Sequence, residues 1–166
     1  GIGGVRVKKR ALSVCCAFLL VVGMLLISAN NALAASVDPI LDGSYLTHDE
    51  ESIGYATPLT RGVDLMVGYS KCVRLGPGKI YAGGTTIAEH DVDNIRVSVV
   101  IERAKEGDTS WNYYANWYKK NENTDRVSSN RTLEVEGGYY YRVRCVHSAH
   151  LDVGESFTNG VFIEKP

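Results

Sequence analysis

Short catalytic motifs are missing from this sequence. It has no serine nucleophile elbow, no glycine-rich phosphate loop and no CxxC pair. Each of these motifs places a reactive group or a phosphate at a fixed turn of the chain, so their absence removes the commonest signals for hydrolases, nucleotide enzymes and thiol oxidoreductases. The sequence predicts a protein that is not an enzyme and holds no cofactor.

Sustained helical periodicity is also missing. No window repeats apolar residues every three or four positions over several turns. All ten tyrosines and both tryptophans instead follow residue 34, among valines, threonines and glycines. This composition is typical of strands and turns, and it predicts an all-β domain.

Positive charge is scarce once the N-terminal segment is set aside. The chain has 18 basic and 19 acidic residues. Residues 1–34 hold four of the basic residues and no acidic one, so 14 basic residues remain against 19 acidic, a formal charge of −5. Nucleic-acid binders usually carry a basic stripe, so the acidic balance argues against that class and against a polybasic membrane surface.

Residues 1–34 have the order of an export signal. Basic residues from Arg6 to Arg10 precede an apolar run of 17 residues, Ala11 to Ile27, and then Ala32-Leu33-Ala34. The run is at the short limit for a bilayer core of about 30 Å. We expect cleavage after Ala34 and an extracellular protein, free or associated with the cell surface, that meets the membrane only during export. Retention as a membrane anchor is the alternative.

The remaining chain divides at residue 61. Residues 35–61 are polar, charged and rich in turn formers, which predicts an N-terminal arm or linker. Residues 62–166 contain short alternating runs, most clearly at Ile95, Val97, Val99 and Ile101. About seven such strands predict an antiparallel β-sandwich of immunoglobulin or fibronectin type III design.

Two cysteines, Cys72 and Cys145, follow the signal segment. An exported chain with an even number of cysteines can form a disulfide, and we expect one between this pair. The alternation of Val67, Tyr69 and Val73 turns Cys72 away from their face, so the bridge requires a β-bulge between Tyr69 and Val73. Two separate thiols are the alternative.

Two residue pairs are candidates for a secreted hydrolase, the alternative function. Cys145 and His147 share one strand face, but two residues of strand separate their side chains by about 6 to 7 Å, beyond hydrogen-bond reach. Glu134 and Glu136 have a spacing near that of glycosidase carboxylates, but nothing in the sequence implies a cleft around them. We expect neither pair to be catalytic.

A metal site is also weakly indicated. His147 and His150 form an H-x-x-H, which on a strand directs the two rings to opposite faces. Zinc needs three or four ligands at defined spacing, and this set is incomplete. We expect no metal.

The segment from Trp111 to Tyr118 is the strongest surface candidate. Trp111, Tyr113 and Trp117 are predicted to face the core, which leaves Tyr114 and Tyr118 outward between asparagines. Aromatic rings flanked by amides suit sugar rings, but cross-strand packing with Tyr140 or Arg142 is the favoured interpretation, because such pairs are common in sheets. The predicted binding surface consists of Tyr114, Tyr118, Tyr140 and Arg142.

Several segments resemble an uncharacterised family of small exported Firmicutes proteins. The strongest is Gly138 to Ser148, with the letters GYYYRVRCVHS, supported by Lys79-Ile80-Tyr81 and Thr158-Asn159-Gly160. The resemblance covers residues 62–164 and the signal segment. It implies a Gram-positive exported domain of unknown function and carries over no site residues.

These observations favour a non-enzymatic extracellular or cell-envelope binding module. A cell-envelope glycan or a protein is the expected partner.

Overall fold

The computed structural model describes residues 40–60 and 62–166, and their regular structure is entirely β. The all-β prediction is confirmed. Ten strands are present where about seven were expected. They are β1 Ile40–Leu41, β2 Ser44–Thr47, β3 Glu51–Tyr55, β4 Thr57–Pro58, β5 Leu65–Gly76, β6 Lys79–Ala104, β7 Asn112–Glu134, β8 Tyr139–Ala149, β9 Asp152–Phe157 and β10 Gly160–Ile163.

Strand β6 organises the sheet. Its first half pairs with β5, its second half pairs with β8, and β7 pairs with it along both halves. The β6–β7 register shifts between Ile87 and Val92, where the long hairpin changes direction. Bulges increase local twist, so this irregularity allows one hairpin to contribute to both halves of a curved sheet.

The ten strands form one curled, mixed sheet. Its two halves face each other across the core, where the Cys72 thiol on β5 approaches the Tyr141 carbonyl on β8 at 3.6 Å. Pairing of β4 with β9 draws the margins together, and β10 runs parallel to β2. This single mixed sheet is not clearly the two-sheet antiparallel sandwich expected from the sequence, because long strands continue from one half into the other.

The predicted N-terminal arm is largely part of the sheet. Residues 40–58 supply β1 to β4, and β3 pairs with β5 from Glu51 to Tyr55. The sequence does not show these strands because they are short and lie at the margins of the sheet. Polar and charged side chains can reach solvent there, so no apolar alternation is needed. The predicted signal segment and residues 35–39 lie outside the described residues.

The core contains the strand predicted most clearly. Ile95, Val97, Val99 and Ile101 on β6 are all fully buried, as their alternation predicts. Burying each such side chain contributes about 1.5–3 kcal/mol relative to leaving it exposed. The opposite half of the sheet adds Ile80 and Ala82, and β8 adds Tyr141, Val143 and Cys145.

Strand β5 faces the core differently from its predicted alternation. The register shifts between Leu65 and Val67, so the bulge lies near Met66 rather than between Tyr69 and Val73. Gly68, Ser70 and Cys72 are consequently buried. Val67, which lies on the alternating face of the sequence pattern, is turned outward and is 37% exposed.

In the described part of the chain, no helix is long and apolar enough to cross a membrane.

Candidate functional site

A bulge positions the aromatic side chains of β7. Ala115 pairs with Ile101, but Tyr113 pairs with Glu102, so Tyr114 is an extra residue. Tyr113 therefore points outward with 65% exposure, while Tyr114 is partly buried and packs edge-on against Tyr141 at 5.5 Å. The predicted directions of Tyr113 and Tyr114 are wrong, because one inserted residue reverses the alternation.

The other half of the aromatic segment follows the prediction. Trp117 is 8% exposed and belongs to the core, while Tyr118 is 63% exposed on the outer surface. The Arg96 guanidinium lies over the Tyr118 ring at 4.1 Å from its centroid, and Arg96 Nε donates to the Ser98 hydroxyl at 3.0 Å. These contacts hold Tyr118 against the neighbouring strand and make it a fixed platform.

Tyr113 and Tyr118 belong to a broader outer face on strands β7, β6, β8 and β9. We define this outer face by two complete cross-strand rows and the side chains next to them. The first row is Tyr118, Ser98, Val146 and Glu155, the second is Asn116, Val100, Arg144 and Phe157, and Tyr113 and Arg96 flank them. Val146 is 39% exposed and Phe157 is 41% exposed, so separate apolar side chains lie among the polar groups of the two rows.

Tyr140, a predicted surface residue, is buried at 7% exposure. Residues of the supposed arm and the last strand cover it. Its hydroxyl lies 3.2 Å from His48 Nε2, and its ring is 5.1 Å from that of Phe162. The prediction failed because both faces of β8 are covered at this end of the sheet.

Arg142, also predicted at the surface, is 2% exposed. Its Nε donates to Glu102 at 2.8 Å, and its Nη1 and Nη2 donate to the Asp42 carbonyl and carboxylate, both at 2.9 Å. The guanidinium also lies 4.7 Å from the Trp111 ring centroid. Arg142 thus ties β1–β2 to β6 and β8, which is a structural role.

A cleft borders the outer face beside this ion network. Its volume is about 390 Å³, and its lining residues are Asp42, Gly43, Arg142, Arg144, Glu155 and Phe157. Arg144 joins Glu102 at 3.1 Å to Glu155 at 3.3 Å. Charges of both signs are mutually paired here, so the cleft supplies polar edges rather than a strong field of one sign.

His147 belongs to a polar network inside the sheet. Its Nδ1 lies 2.8 Å from Thr86 Oγ1 and its Nε2 lies 2.7 Å from Ser156 Oγ, while Ser156 contacts Ser70 at 2.5 Å. Burial lowers the pKa of His147 from 6.5 to about 4, so the ring is neutral at physiological pH. Thr86, Ser156 and Ser70 belong to no sequence motif, so this network could not be predicted from the sequence.

A serine bonded to a histidine that is oriented by a third side chain is the geometry of an activated nucleophile. Access is absent, however, since His147 is 0% exposed and Ser156 is 1% exposed. Cys145 is also 0% exposed, and burial raises its thiol pKa to about 12, which suppresses the thiolate that a cysteine nucleophile requires. The Cys145–His147 pair is part of the core.

The two carboxylates considered for glycoside hydrolysis lie apart from any described cleft. Glu134 is paired with Lys79 at 3.4 Å, and Glu136 is paired with Arg103 at 2.9 Å. Glu134 has 80% of its side chain exposed and Glu136 has 62%. The carboxylates of a glycosidase flank the scissile bond of a bound sugar, and these exposed ion pairs do not lie in such a site.

His150 is separated from His147 by the pleat and by the turn after β8. It is exposed and adopts a φ of 52°, at the edge of a shallow cleft with His90, Asp64, Asp91 and Asp93. His90 is paired with Asp64 at 2.9 Å. Within residues 40–60 and 62–166, no group of three or more metal-ligating side chains has the arrangement to hold an ion.

No protein-family model matches the chain, and no curated protein or solved structure matches it either.

The site must therefore be interpreted from its own residues. The outer face combines exposed aromatic rings, amides and paired charges on a rigid sheet, whereas the groups with catalytic potential are buried or fully solvated. Exposed aromatic rings beside amides can contact a ligand through ring faces and hydrogen bonds.

Proposed function

We propose that this chain is a non-enzymatic binding module of the extracellular space or the cell envelope. The export-like segment at residues 1–34 and the resemblance to small exported Firmicutes proteins support this location. The module shares one feature with immunoglobulin and fibronectin type III domains. Two packed halves of its sheet enclose one core and leave an exposed sheet face for binding.

One observation carries the proposal: the outer face displays large side chains that the fold does not bury. Tyr113 and Tyr118 are more than 60% exposed, although each sits within the paired β6–β7 ladder. Fixed aromatic side chains lose little conformational entropy when a ligand packs on them. Such a surface favours the binding of a ligand that packs on the two tyrosine rings.

The alternative, a secreted hydrolase, has weaker support. Cys145 and His147 are enclosed in the core, and Glu134 and Glu136 are solvated ion-pair partners. A substrate would have to enter between packed strands to meet the first pair. No observation in the described residues favours this second function.

Cosedimentation with isolated Gram-positive cell envelope tests the proposal. The chain from Ala35 should sediment with the envelope, and the double variant Tyr113→Ala/Tyr118→Ala should lose at least about tenfold in affinity, because both rings contact the ligand. Tyr55→Ala is the matched control, since Tyr55 is 70% exposed on β3, which pairs with β5 rather than with β6 or β7. Equal retention of the double variant and the parent would refute the proposal.

A further inference from the structure

We propose that the ligand of the outer face is a linear glycan that lies along β7 across Tyr113, Asn116 and Tyr118. This inference rests on the proposed function and names its ligand class. It concerns polymers whose hydroxyl and amide groups alternate with the flat faces of sugar rings.

The spacing of the two tyrosines sets the ligand length. Tyr113 pairs with Glu102 and Tyr118 pairs with Ser98. Four residues of strand separate those partners, which corresponds to about 14 Å. This distance exceeds one sugar ring, so simultaneous contact with both tyrosines requires an oligosaccharide.

Asn116 lies between the two rings. It pairs with Val100, midway between Glu102 and Ser98, and it is exposed on the same outer face. An asparagine amide both donates and accepts hydrogen bonds, as sugar hydroxyls do. The order along β7 is thus aromatic ring, amide, aromatic ring, which matches a chain whose sugars stack at two positions and hydrogen-bond between them.

The surroundings of Tyr118 suit a sugar ring. Arg96 lies over the tyrosine ring at 4.1 Å from its centroid, and because Tyr118 is 63% exposed, ring surface remains for stacking. Ser98 and Arg96 supply further polar groups at the ring edge, and these are already joined by a 3.0 Å hydrogen bond. The platform is therefore ordered before the ligand arrives, which lowers the entropic cost of binding.

The edge of β7 adds main-chain groups. Among the described strands, β7 pairs only with β6, so its outer edge carries no strand partner. Amide and carbonyl groups along such an edge can bond to hydroxyls. Lys119 and Lys120 are exposed nearby, and lysines on an edge strand oppose pairing with another protein strand.

A protein partner fits this surface less well. The cores of protein interfaces are contiguous, apolar and depleted in charge. On the outer face Tyr118 lies on β7 and Phe157 lies on β9, at opposite sides of the sheet. Between them, Arg144 on β8 is paired with Glu155 on β9 at 3.3 Å. Isolated rings among hydrogen-bonding groups favour a glycan.

Selective treatment of purified Gram-positive cell wall tests the ligand class. The probes are whole wall, wall treated with protease, wall stripped of anionic polymers with hydrofluoric acid, and wall digested with muramidase. Protein from Ala35 onward should sediment equally with the first three and be released by muramidase. Long soluble glycan strands should compete at least about tenfold better than the disaccharide product, because only they span both tyrosines.

Variants keep the outcomes distinct. Tyr118→Phe should retain binding because the stacking ring remains, whereas Tyr118→Ala should lose about tenfold. Loss of sedimentation after protease or hydrofluoric acid, with the glycan intact, would overturn the glycan inference while the proposed function stands. If the Tyr113→Ala/Tyr118→Ala variant sediments with whole wall as strongly as the parent, the proposed function is overturned as well.

Discussion

The Ser156 hydroxyl lies 2.7 Å from Nε2 of His147, inside the sheet, and the two side chains are almost completely enclosed. Thr86 Oγ1 donates to the Arg96 carbonyl at 3.0 Å, so it accepts from Nδ1–H of His147. Nε2 then accepts from Ser156. This neutral tautomer satisfies each donor of the pair, which explains how a polar group is accommodated in an apolar core.

Acid should destabilise the fold through His147. Its pKa is lowered to about 4 by burial, from 6.5 when unfolded. As pH falls, His147 is protonated in the unfolded chain before it is protonated in the folded protein. The stabilisation from neutral, buried His147 is complete above pH 6.5 and is lost progressively between pH 6.5 and about pH 4. Between about pH 7.5 and pH 5 this costs about 2 kcal/mol in the free energy of unfolding.

Urea unfolding at several pH values measures this loss. The His150→Gln variant, which changes an exposed histidine, should show the same loss of unfolding free energy between pH 7.5 and pH 5 as the parent. NMR titration of the parent should place the pKa of His147 near 4. A His147 that titrates near 6.5 in the folded protein would contradict the burial argument.

Gly84→Ala should destabilise the core by about 1–3 kcal/mol, as overpacking does. A Cβ at this position would lie 2.5 Å from Cys145 Sγ and 2.8 Å from the Tyr69 carbonyl. Adding Cys145→Ala removes the sulfur and should recover part of the loss, so the double variant is less destabilised than the sum. Gly84→Ala with Cys72→Ala is the control and should be additive. If both double variants are additive, the contact of the new Cβ with the Tyr69 carbonyl, rather than with the Cys145 sulfur, accounts for the destabilisation by Gly84→Ala.

Arg142→Leu should cost about 1.5–3 kcal/mol, because the carboxylate of Glu102, which is 9% exposed, loses its 2.8 Å hydrogen bond from Arg142 and keeps only the one from Arg144. Removing both partners in Arg142→Leu/Glu102→Leu should be less harmful than the sum of the single changes. Lys79→Leu is the surface control, since the Lys79–Glu134 pair is solvent-exposed and contributes less than about 1 kcal/mol. Urea denaturation measures all four. A loss for Arg142→Leu as small as that of Lys79→Leu would show that the ion network contributes little.

Cys72 and Cys145 should be reduced thiols. The structure places both in the core without a bridge, which corrects the disulfide expected from the sequence. Burial raises the pKa of each thiol to about 12, so a thiol reagent should react slowly with the folded chain. After unfolding without reductant, the chain from Ala35 should titrate two thiols. Finding none would restore the disulfide.

Export should remove residues 1–34. The basic residues, apolar run and Ala32-Leu33-Ala34 predict cleavage after Ala34. Intact-mass measurement of the secreted protein should give a chain that starts at Ala35. A full-length chain retained in the membrane fraction would support the anchor instead.

The all-β class and the buried face of β6 could be predicted from the order of residues along the chain. Ile95, Val97, Val99 and Ile101 alternate without interruption, and a regular strand converts that period directly into one buried face. Trp117 and Tyr118 follow the same rule on β7. Where the pleat is regular, local order in the chain is sufficient.

The directions of side chains next to bulges and the closure of the sheet depend on contacts between distant strands, and they could not be predicted from local pattern. One extra residue at Tyr114 exchanges inside and outside, and the shift near Met66 turns Cys72 inward. Gly68 faces the core because its missing side chain admits the His147 ring, which no alternation of apolar residues encodes. Arg142 is buried by Asp42 and Ser44, 100 and 98 residues away along the chain. Such contacts depend on which strands become neighbours, and pairing at that separation is fixed by the whole fold rather than by local pattern.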